Sequence, residues 1–324
     1  MTKRCGYISF LGLTNAGKST LLNSCVGQKL AGVSRKPQTT RNRILGVAIS
    51  QQSQFVFLDT PGFYYQKRSV MLHRMMNEEA LSTIADSDVI CYLIDVKRGC
   101  HDEDINFLSD IVKKKSAETK LFVVLSKCDS LDNISVSFQE DQTKNRLALI
   151  LEEAKVEAEF LTISAKSKDS VKEFLRRLEV HLPEREWDFP EDSYTDRSEN
   201  FVVAELIREK FFRLYGQELP FGTGVQVTGI KKKENITVVS ASLIVSREAH
   251  KGIVIGKSGA KLKELGTLAR TSLEVFYEGK VYLELSVKVK VDWTNDQRVI
   301  AEIQGIAEPL NLDELLAQLT EGVV

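Results

Sequence analysis

Histidine is scarce in this sequence: four residues, His73, His101, His181 and His250, in a chain of 324. They have neither the spacing of metal ligands nor a nucleophile partner, so a zinc-type site and a histidine-dependent triad are excluded, and surface or structural roles are expected. Cysteine is nearly as rare, and Cys5, Cys25, Cys91, Cys100 and Cys128 contain no C-x-x-C pair. Three of them fall in or beside apolar segments, which points to buried thiols in a reducing compartment. No apolar run approaches the ~20 residues that span a bilayer. The N-terminus has no long apolar stretch behind its basic residues, so no secretory signal is expected. A net charge of −1 excludes little, because local charges cancel between domains. The expectation is a cytosolic protein.

What is present is globular. Hydrophobic residues make up 43% and charged residues 27%, and the length suits about two domains with cores of their own. The stretch from Tyr7 to Leu22 begins as an apolar strand (Ile8 to Leu11), turns at Gly12 and reaches Gly17-Lys18-Ser19-Thr20 before a helical run. The pattern G-x-x-x-x-G-K-S (Gly12, Leu13, Thr14, Asn15, Ala16, Gly17, Lys18, Ser19) is a phosphate-binding P-loop in its strand-to-helix setting. Glycines let successive N–H groups point at phosphate oxygens, and the helix start adds partial positive charge. Lys18 offers a full charge to the β- and γ-phosphates, and Ser19 a hydroxyl to Mg²⁺.

The segment LAGVSRKPQTTRNRILGVA then has the composition of a loop. Gln54 to Leu58 is an apolar strand running into Asp59-Thr60-Pro61-Gly62. An acid at that strand end suits a carboxylate behind Mg²⁺, and the Gly62 N–H could approach a γ-phosphate. Apolar strands follow at Val89 to Val96, Leu121 to Leu125 and Phe160 to Ile163, separated by helical stretches. Such a pattern indicates an α/β fold with a mostly parallel sheet covered on both faces. The last two strands end in Ser126-Lys127-Cys128-Asp129 and Ser164-Ala165-Lys166. Ligands collect at the carboxyl ends of strands in sheets of this kind, where all these motifs lie.

GLTNAGKS, QTTR, DTPG, SKCD and SAK resemble, in order, the motifs of the translation-factor class of small GTPases. The resemblance implies that Asp129 reads guanine by a bidentate hydrogen bond, that Lys127 lies over the ring and that Ala165 offers its N–H to the guanine oxygen. It also implies that Thr40, before Thr39, closes over Mg²⁺ with Ser19 and Asp59. Ser126 stands where the family usually has Asn, which lowers the expected guanine affinity but leaves specificity unchanged. Phe63 follows DTPG where signalling GTPases carry a water-orienting Gln. With Asn15 in the P-loop, that departure points to K⁺ as an activating cation, held by Asn15 and a loop carbonyl and acting like an arginine finger. The implied catalytic set is Asn15, Lys18, Thr40 and Gly62.

Residues 183–199 carry two prolines, seven acids and two bases, and read as a linker that ends the domain of residues 1–182. Residues 200–300 read as a second domain: a helix from Asn200 to Tyr215, strands at Val225 to Lys231 and Asn235 to Val245, the run HKGIVIGKSGAKLKELG, and a strand at Val281 to Val291. This order resembles a type II KH domain, α+β in class. The glycine-flanked turn Gly256-Lys257-Ser258-Gly259 would let a single-stranded RNA backbone approach closely. Lys251, Lys257, Lys261 and Lys263 would supply phosphate charge, with Ile253 and Ile255 lining an apolar groove and Val254 in the core. Sixteen basic against eleven acidic residues over 200–300 agree with RNA. The run Lys231 to Lys233 reads as a solvated hairpin tip, with contact to RNA or anionic lipid as the alternative. Residues 301–324, with five acids and no base, read as a tail.

Together these halves resemble the Era family of ribosome-assembly GTPases. The resemblance implies GTP, GDP and Mg²⁺ as ligands, the 3′ end of 16S rRNA and the immature small ribosomal subunit (pre-30S) as partners, a monomer, and some peripheral contact at the cytoplasmic face of the membrane. Two other readings are an RNA-binding scaffold with negligible turnover and a GTPase of tRNA modification or membrane transport.

Overall fold

The structure is a computed structural model that describes residues 3–34, 36, 39–63, 71–216 and 219–304. Gln38 of the QTTR segment and the tail after residue 304 lie outside them. The chain forms two compact units, the first ending at Arg197 and the second running from Ser198.

The first unit alternates strand and helix: β1 (Arg4–Leu11), α1 (Lys18–Val26), β2 (Ile44–Ser50), β3 (Ser53–Asp59), α2 (Met71–Ser82), β4 (Val89–Asp95), α3 (Asp102–Lys114), β5 (Lys120–Ser126), α4 (Asn133–Glu153), β6 (Ala158–Ile163) and α5 (Lys168–Glu179). The sheet order is β2-β3-β1-β4-β5-β6. Every pairing is parallel except β2 with β3. Apolar side chains alternate between two buried faces. On one, Phe10 stacks on Phe57 at 5.1 Å and meets Phe174 of α5 at 6.3 Å. On the other, Leu11, Ile90, Tyr92, Ile94, Leu121 and Val123 pack against Phe107 and Ile111 of α3 and Leu147 of α4.

Two elements differ from the sequence reading. Residues 44–50 are a strand rather than loop. Ile44 to Ser50 pairs antiparallel with β3 through a two-residue turn, so tertiary pairing supplies what its mixed composition does not show. Residues 183–197, expected as an acidic linker, lie as a strap on the first unit, and the division between the units falls at its end, between Arg197 and Ser198. Trp187 and Phe189 pack on the apolar cluster of Cys5, Leu45, Val47, Val56 and Leu58, the part of the second face that α3 and α4 leave open. The amide of Gln54 accepts from the N–H groups of Asp188 and Phe189 at 3.0 Å and donates to the Phe189 carbonyl at 2.8 Å. The Trp187 indole donates to the Gln52 carbonyl.

The second unit contains α6 (Glu199–Leu214), β7 (Thr223–Lys233), β8 (Ile236–Val245), α7 (Glu248–Ile255), α8 (Ala260–Phe276), β9 (Val281–Val289) and α9 (Gln297–Gln304). The sheet order is β7-β8-β9, antiparallel then parallel. Buried Val239, Leu243, Val254, Leu265, Ala269 and Leu273 make its core. Helix α9 crosses the expected boundary at residue 300. It belongs to the fold, because Ile303 sits so close over Gly224 that a Cβ there would lie 2.8 Å from it. Among the described residues, no helix is long and apolar enough to cross a membrane.

Candidate functional site

The carboxyl ends of β1, β3, β5 and β6 bring together the first unit's motifs. After β1, Gly12 adopts φ 141°, and a Cβ there would lie 2.5 Å from the Leu93 carbonyl. Only glycine lets the loop turn this tightly against β4. Asn15 (φ 63°) and Gly17 (φ 95°) complete the turn. No side chain caps the first turn of α1, and an uncapped helix N-terminus suits an anion. Lys18 is 5% exposed, and its ammonium donates to the Gly12 and Leu13 carbonyls, each at 3.0 Å. Burial lowers its pKa to about 8, with Lys127 adding to the fall and Asp59 opposing it. A buried cation beside phosphate-binding N–H groups is a site for a polyanion.

The hydroxyls of Ser19 and Thr40 lie 2.6 Å apart. Thr39 turns away, to the Ser34 hydroxyl at 2.7 Å and the Lys36 carbonyl at 2.8 Å. Asp59, fully buried at the end of β3, interacts with the Lys18 charge. Two converging hydroxyls with a carboxylate behind them suit Mg²⁺ held mainly by nucleotide oxygens. Thr60 is buried and donates to the Phe10 carbonyl at 2.9 Å, which fixes the DTPG turn on β1. Pro61 is buried, and Gly62 abuts the P-loop so closely that a Cβ would lie 2.7 Å from the Thr14 Cα. Phe63 has no polar group to orient water, and its half-buried ring stacks on Phe107 at 4.1 Å against the core.

The two remaining motifs brace the loop and form a second pole. Ser126 donates to the Ala16 carbonyl at 2.5 Å. Lys127, at φ 60°, reaches the Asn15 carbonyl at 2.6 Å and Asp95 at 2.7 Å. Asp129 accepts from Lys166 at 2.6 Å and Ser164 at 2.8 Å, and these bonds, Lys166's first, lower its pKa. Its carboxylate is therefore ionised and held by two donors. The Ala165 carbonyl is tied to α1 by the Ser24 hydroxyl at 2.6 Å. Cys128 is half-buried between these groups, and Thr20 lies within α1.

Sequence reasoning missed Asp95, Ser24 and Ser34, which steady Lys127, the SAK turn and the Thr39 turn respectively. Asp95 had a signal, being an acid at the end of the strand VICYLID. The two serines had none.

In the second unit, α7 and α8 flank the GKSG turn. Gly256 (φ 71°), Ser258 (φ 50°) and Gly259 (φ 79°) all have positive φ. A Cβ on Gly256 would lie 2.9 Å from the Lys261 Cβ, whereas one on Gly259 would meet nothing within 4 Å. Lys257, Lys261 and Lys263 are exposed and Lys251 half-buried. Ile253 is 50% exposed while Val254 is fully buried, so an apolar side chain stands beside an accessible, cationic backbone turn. Ile255 is half-buried. Tyr215 donates to the Val254 carbonyl at 2.7 Å and carries the Lys261 ammonium over its ring at 5.8 Å. At the hairpin tip, Lys232 pairs with Glu199 at 2.9 Å and lies 5.8 Å over Tyr277, so the middle lysine of the run is engaged within its own unit.

Residues 7–127 match the family described as 50S ribosome-binding GTPase, and residues 219–294 match the KH domain family. The chain is 38% identical to GTPase Era of Syntrophus aciditrophicus over 301 residues, 92% of this chain and 94% of that one. It is also 38% identical to GTPase Era of Trichlorobacter lovleyi over 303 residues, 93% and 98% of the two chains. Among solved structures, an Aquifex aeolicus Era variant bound to GDP·AlF4⁻ superposes with a TM-score of 0.83 at 34% identity, covering 93% of this chain and 98% of that one. An Era complex with MgGDPNP and nucleotides 1506–1542 of 16S ribosomal RNA gives a TM-score of 0.80 at 36% identity, with the same coverage.

Proposed function

The chain belongs to the Era family of GTPases, and from that premise we propose that it is a checkpoint in small ribosomal subunit assembly and rRNA maturation. It hydrolyses GTP to GDP and phosphate; its second unit binds the 3′ end of 16S rRNA in the pre-30S particle. The observation that carries the reading is the meeting of the Thr40 and Ser19 hydroxyls at 2.6 Å. It brings the Thr40 loop to the hydroxyl that would hold Mg²⁺, so nucleotide and metal together would act on that loop.

In this mechanism Lys18 and the loop N–H groups hold the β- and γ-phosphates, and Asp129, with Lys127 and Ala165, selects guanine. Mg²⁺, when bound with nucleotide, neutralises charge that builds on the phosphates. Ser19 and Thr40 would present oxygens to it, with the Asp59 carboxylate supporting the site. Gly62 closes against Thr14 and brings its N–H to the γ-phosphate. With the apolar Phe63 ring packed against Phe107, no polar side chain directly follows DTPG to align water. Asn15 is then the residue that would hold K⁺ against the phosphates, and slow turnover accelerated by that cation follows. Equal rates in K⁺ and Na⁺ would remove this part alone.

Lys251, Ile253, Ile255, Lys261, Lys263 and the GKSG turn form the RNA surface, supported by the relative solved with an rRNA segment. The GTP state favours RNA, and hydrolysis releases it, provided RNA has different affinities for the two states. The protein acts as a cytoplasmic monomer, with peripheral membrane contact as a secondary property.

The test is GTP turnover in K⁺ buffer during titration with an oligonucleotide of the 3′ end of small-subunit rRNA. A saturable rise in rate joins the two units in one mechanism. A flat response with the oligonucleotide unbound overturns the RNA assignment. A flat response with it bound favours a scaffold.

A further inference from the structure

The strap does more than cover an apolar face. Its last residues run antiparallel along the outer edge of β2, the edge strand of the sheet. The Val47 N–H donates to the Tyr194 carbonyl at 2.9 Å, and the Thr195 hydroxyl donates to the Leu45 carbonyl at 2.6 Å. The Arg197 guanidinium donates to the Arg43 carbonyl through Nε at 3.1 Å and again through Nη2. Thr195 also accepts from the Arg197 backbone N–H at 3.2 Å, and the Asp196 carboxylate lies 3.8 Å from the Arg197 Nε. The Arg197 side chain is only 18% exposed, so water competes weakly for these bonds.

Arg43 is where the Thr40 loop becomes strand. Between them Arg41 and Asn42 are buried, at 6% and 4% exposure, so little slack separates the anchored carbonyl from the hydroxyl facing Ser19. We propose that Arg197 is a positioning residue for GTP hydrolysis: by pinning the Arg43 carbonyl it fixes the end of the loop that carries Thr40. This rests on the GTPase reading of the Ser19–Thr40 site. Without the pin, the segment from Thr40 to Arg43 must be ordered at the moment the γ-phosphate and metal are engaged, and ordering even one residue costs enough to lower the rate about tenfold. GDP binding, which uses the P-loop and Asp129, is left untouched. The following residue, Ser198, caps α6 by accepting from the Phe201 N–H, so the pin is adjacent in sequence to the first helix of the RNA-binding unit.

The test compares the full-length wild type with Arg197→Ala, Arg197→Lys and Thr195→Val. Expected for Arg197→Ala are about a tenfold fall in kcat, a several-fold rise in half-saturating Mg²⁺, and GDP affinity within twofold of wild type. In the nucleotide-free protein, amide hydrogen exchange at residues 39–43 should quicken selectively. Arg197→Lys, which keeps one donor, should recover part of each effect. Thr195→Val should act in the same direction but more weakly. Unchanged kcat and exchange overturn the proposal, as does a parallel loss of GDP affinity and thermal stability, which marks a structural role only. If Arg197→Ala does not fold, the same measurements on Arg197→Lys and Thr195→Val decide. A wild type that binds guanine nucleotide without turnover would instead overturn the GTPase reading.

Discussion

The loop from Gly12 to Lys18 and the turn from Gly256 to Lys261 use the same materials. Each has glycines at positive φ and carries lysine beside them. They differ in what surrounds them. The first is pressed between β4, Ser126 and Gly62, with its lysine buried and its pKa lowered. The second stands in the open, with Lys257 and Lys261 exposed. On the proposed reading, burial would make the one a socket for a discrete polyphosphate, because a desolvated cation attracts charge strongly at short range. Exposure would make the other a track on which a polymer backbone can lie, with screened and replaceable contacts.

If that contrast holds, the largest effect should come from Gly12→Ala. Its Cβ has no room beside the Leu93 carbonyl, 2.5 Å away. A loss of about 2–3 kcal/mol in stability and about a hundredfold in nucleotide affinity is expected, read by thermal unfolding and by calorimetry. Wild-type affinity would show that the socket is not tightly formed. Next come the glycines of the open turn, which should be unequal. Gly256→Ala meets Lys261 at 2.9 Å as well as backbone strain, whereas Gly259→Ala meets strain alone. The first should weaken RNA binding about tenfold and the second only a few-fold, with stability losses of about 2 and 1 kcal/mol. Equal losses would mean that backbone strain alone governs the turn.

A smaller effect should appear in pH dependence. Lys18 titrates near pH 8 in the empty protein, and bound phosphates must raise its pKa. Above pH 8 the complex therefore holds more protons than the free protein, so nucleotide affinity should fall as pH rises and binding should take up a proton. Calorimetry at pH 8.5 in buffers of different ionisation enthalpy measures that uptake. Folding has the opposite trend: the unfolded lysine, with the higher pKa, binds more protons above pH 8, so the empty protein gains stability from this group as pH rises towards 10.5. The smallest effect is expected for Lys257→Ala. It should lower the salt-dependence slope of RNA binding by about 1 while leaving basal GTP turnover unchanged.

Much of the nucleotide site was legible because each motif is local: a strand, a turn and a few side chains within eight residues. The GKSG turn was readable for the same reason. Burial was harder to see. Nothing in the order of residues shows that Phe63 packs against Phe107, or that Ser24 reaches Ala165 from 141 positions away. Strand β2 was hidden because Gly46 and a preceding polar loop dilute its alternation, and its pairing with β3 decides its state. The linker's packing as a strap was not legible, because acids and prolines outweighed Trp187 and Phe189. Two large apolar residues two positions apart were the signal that the segment had a surface to cover.

The strap also bears on how the chain matures during synthesis. Although the last nucleotide motif is complete at Lys166, β2 keeps an open edge, and Leu45, Val47 and Val56 lack their cover, until residue 197 has emerged. An exposed strand edge above an apolar patch is where nascent chains associate wrongly. A fragment stopped at Leu182 should therefore aggregate, while one carried through Arg197 should stay monodisperse. The nucleotide-binding half is thus finished by the same few residues that begin its connection to the RNA-binding half, so a ribosome releases the first only as it commits to the second.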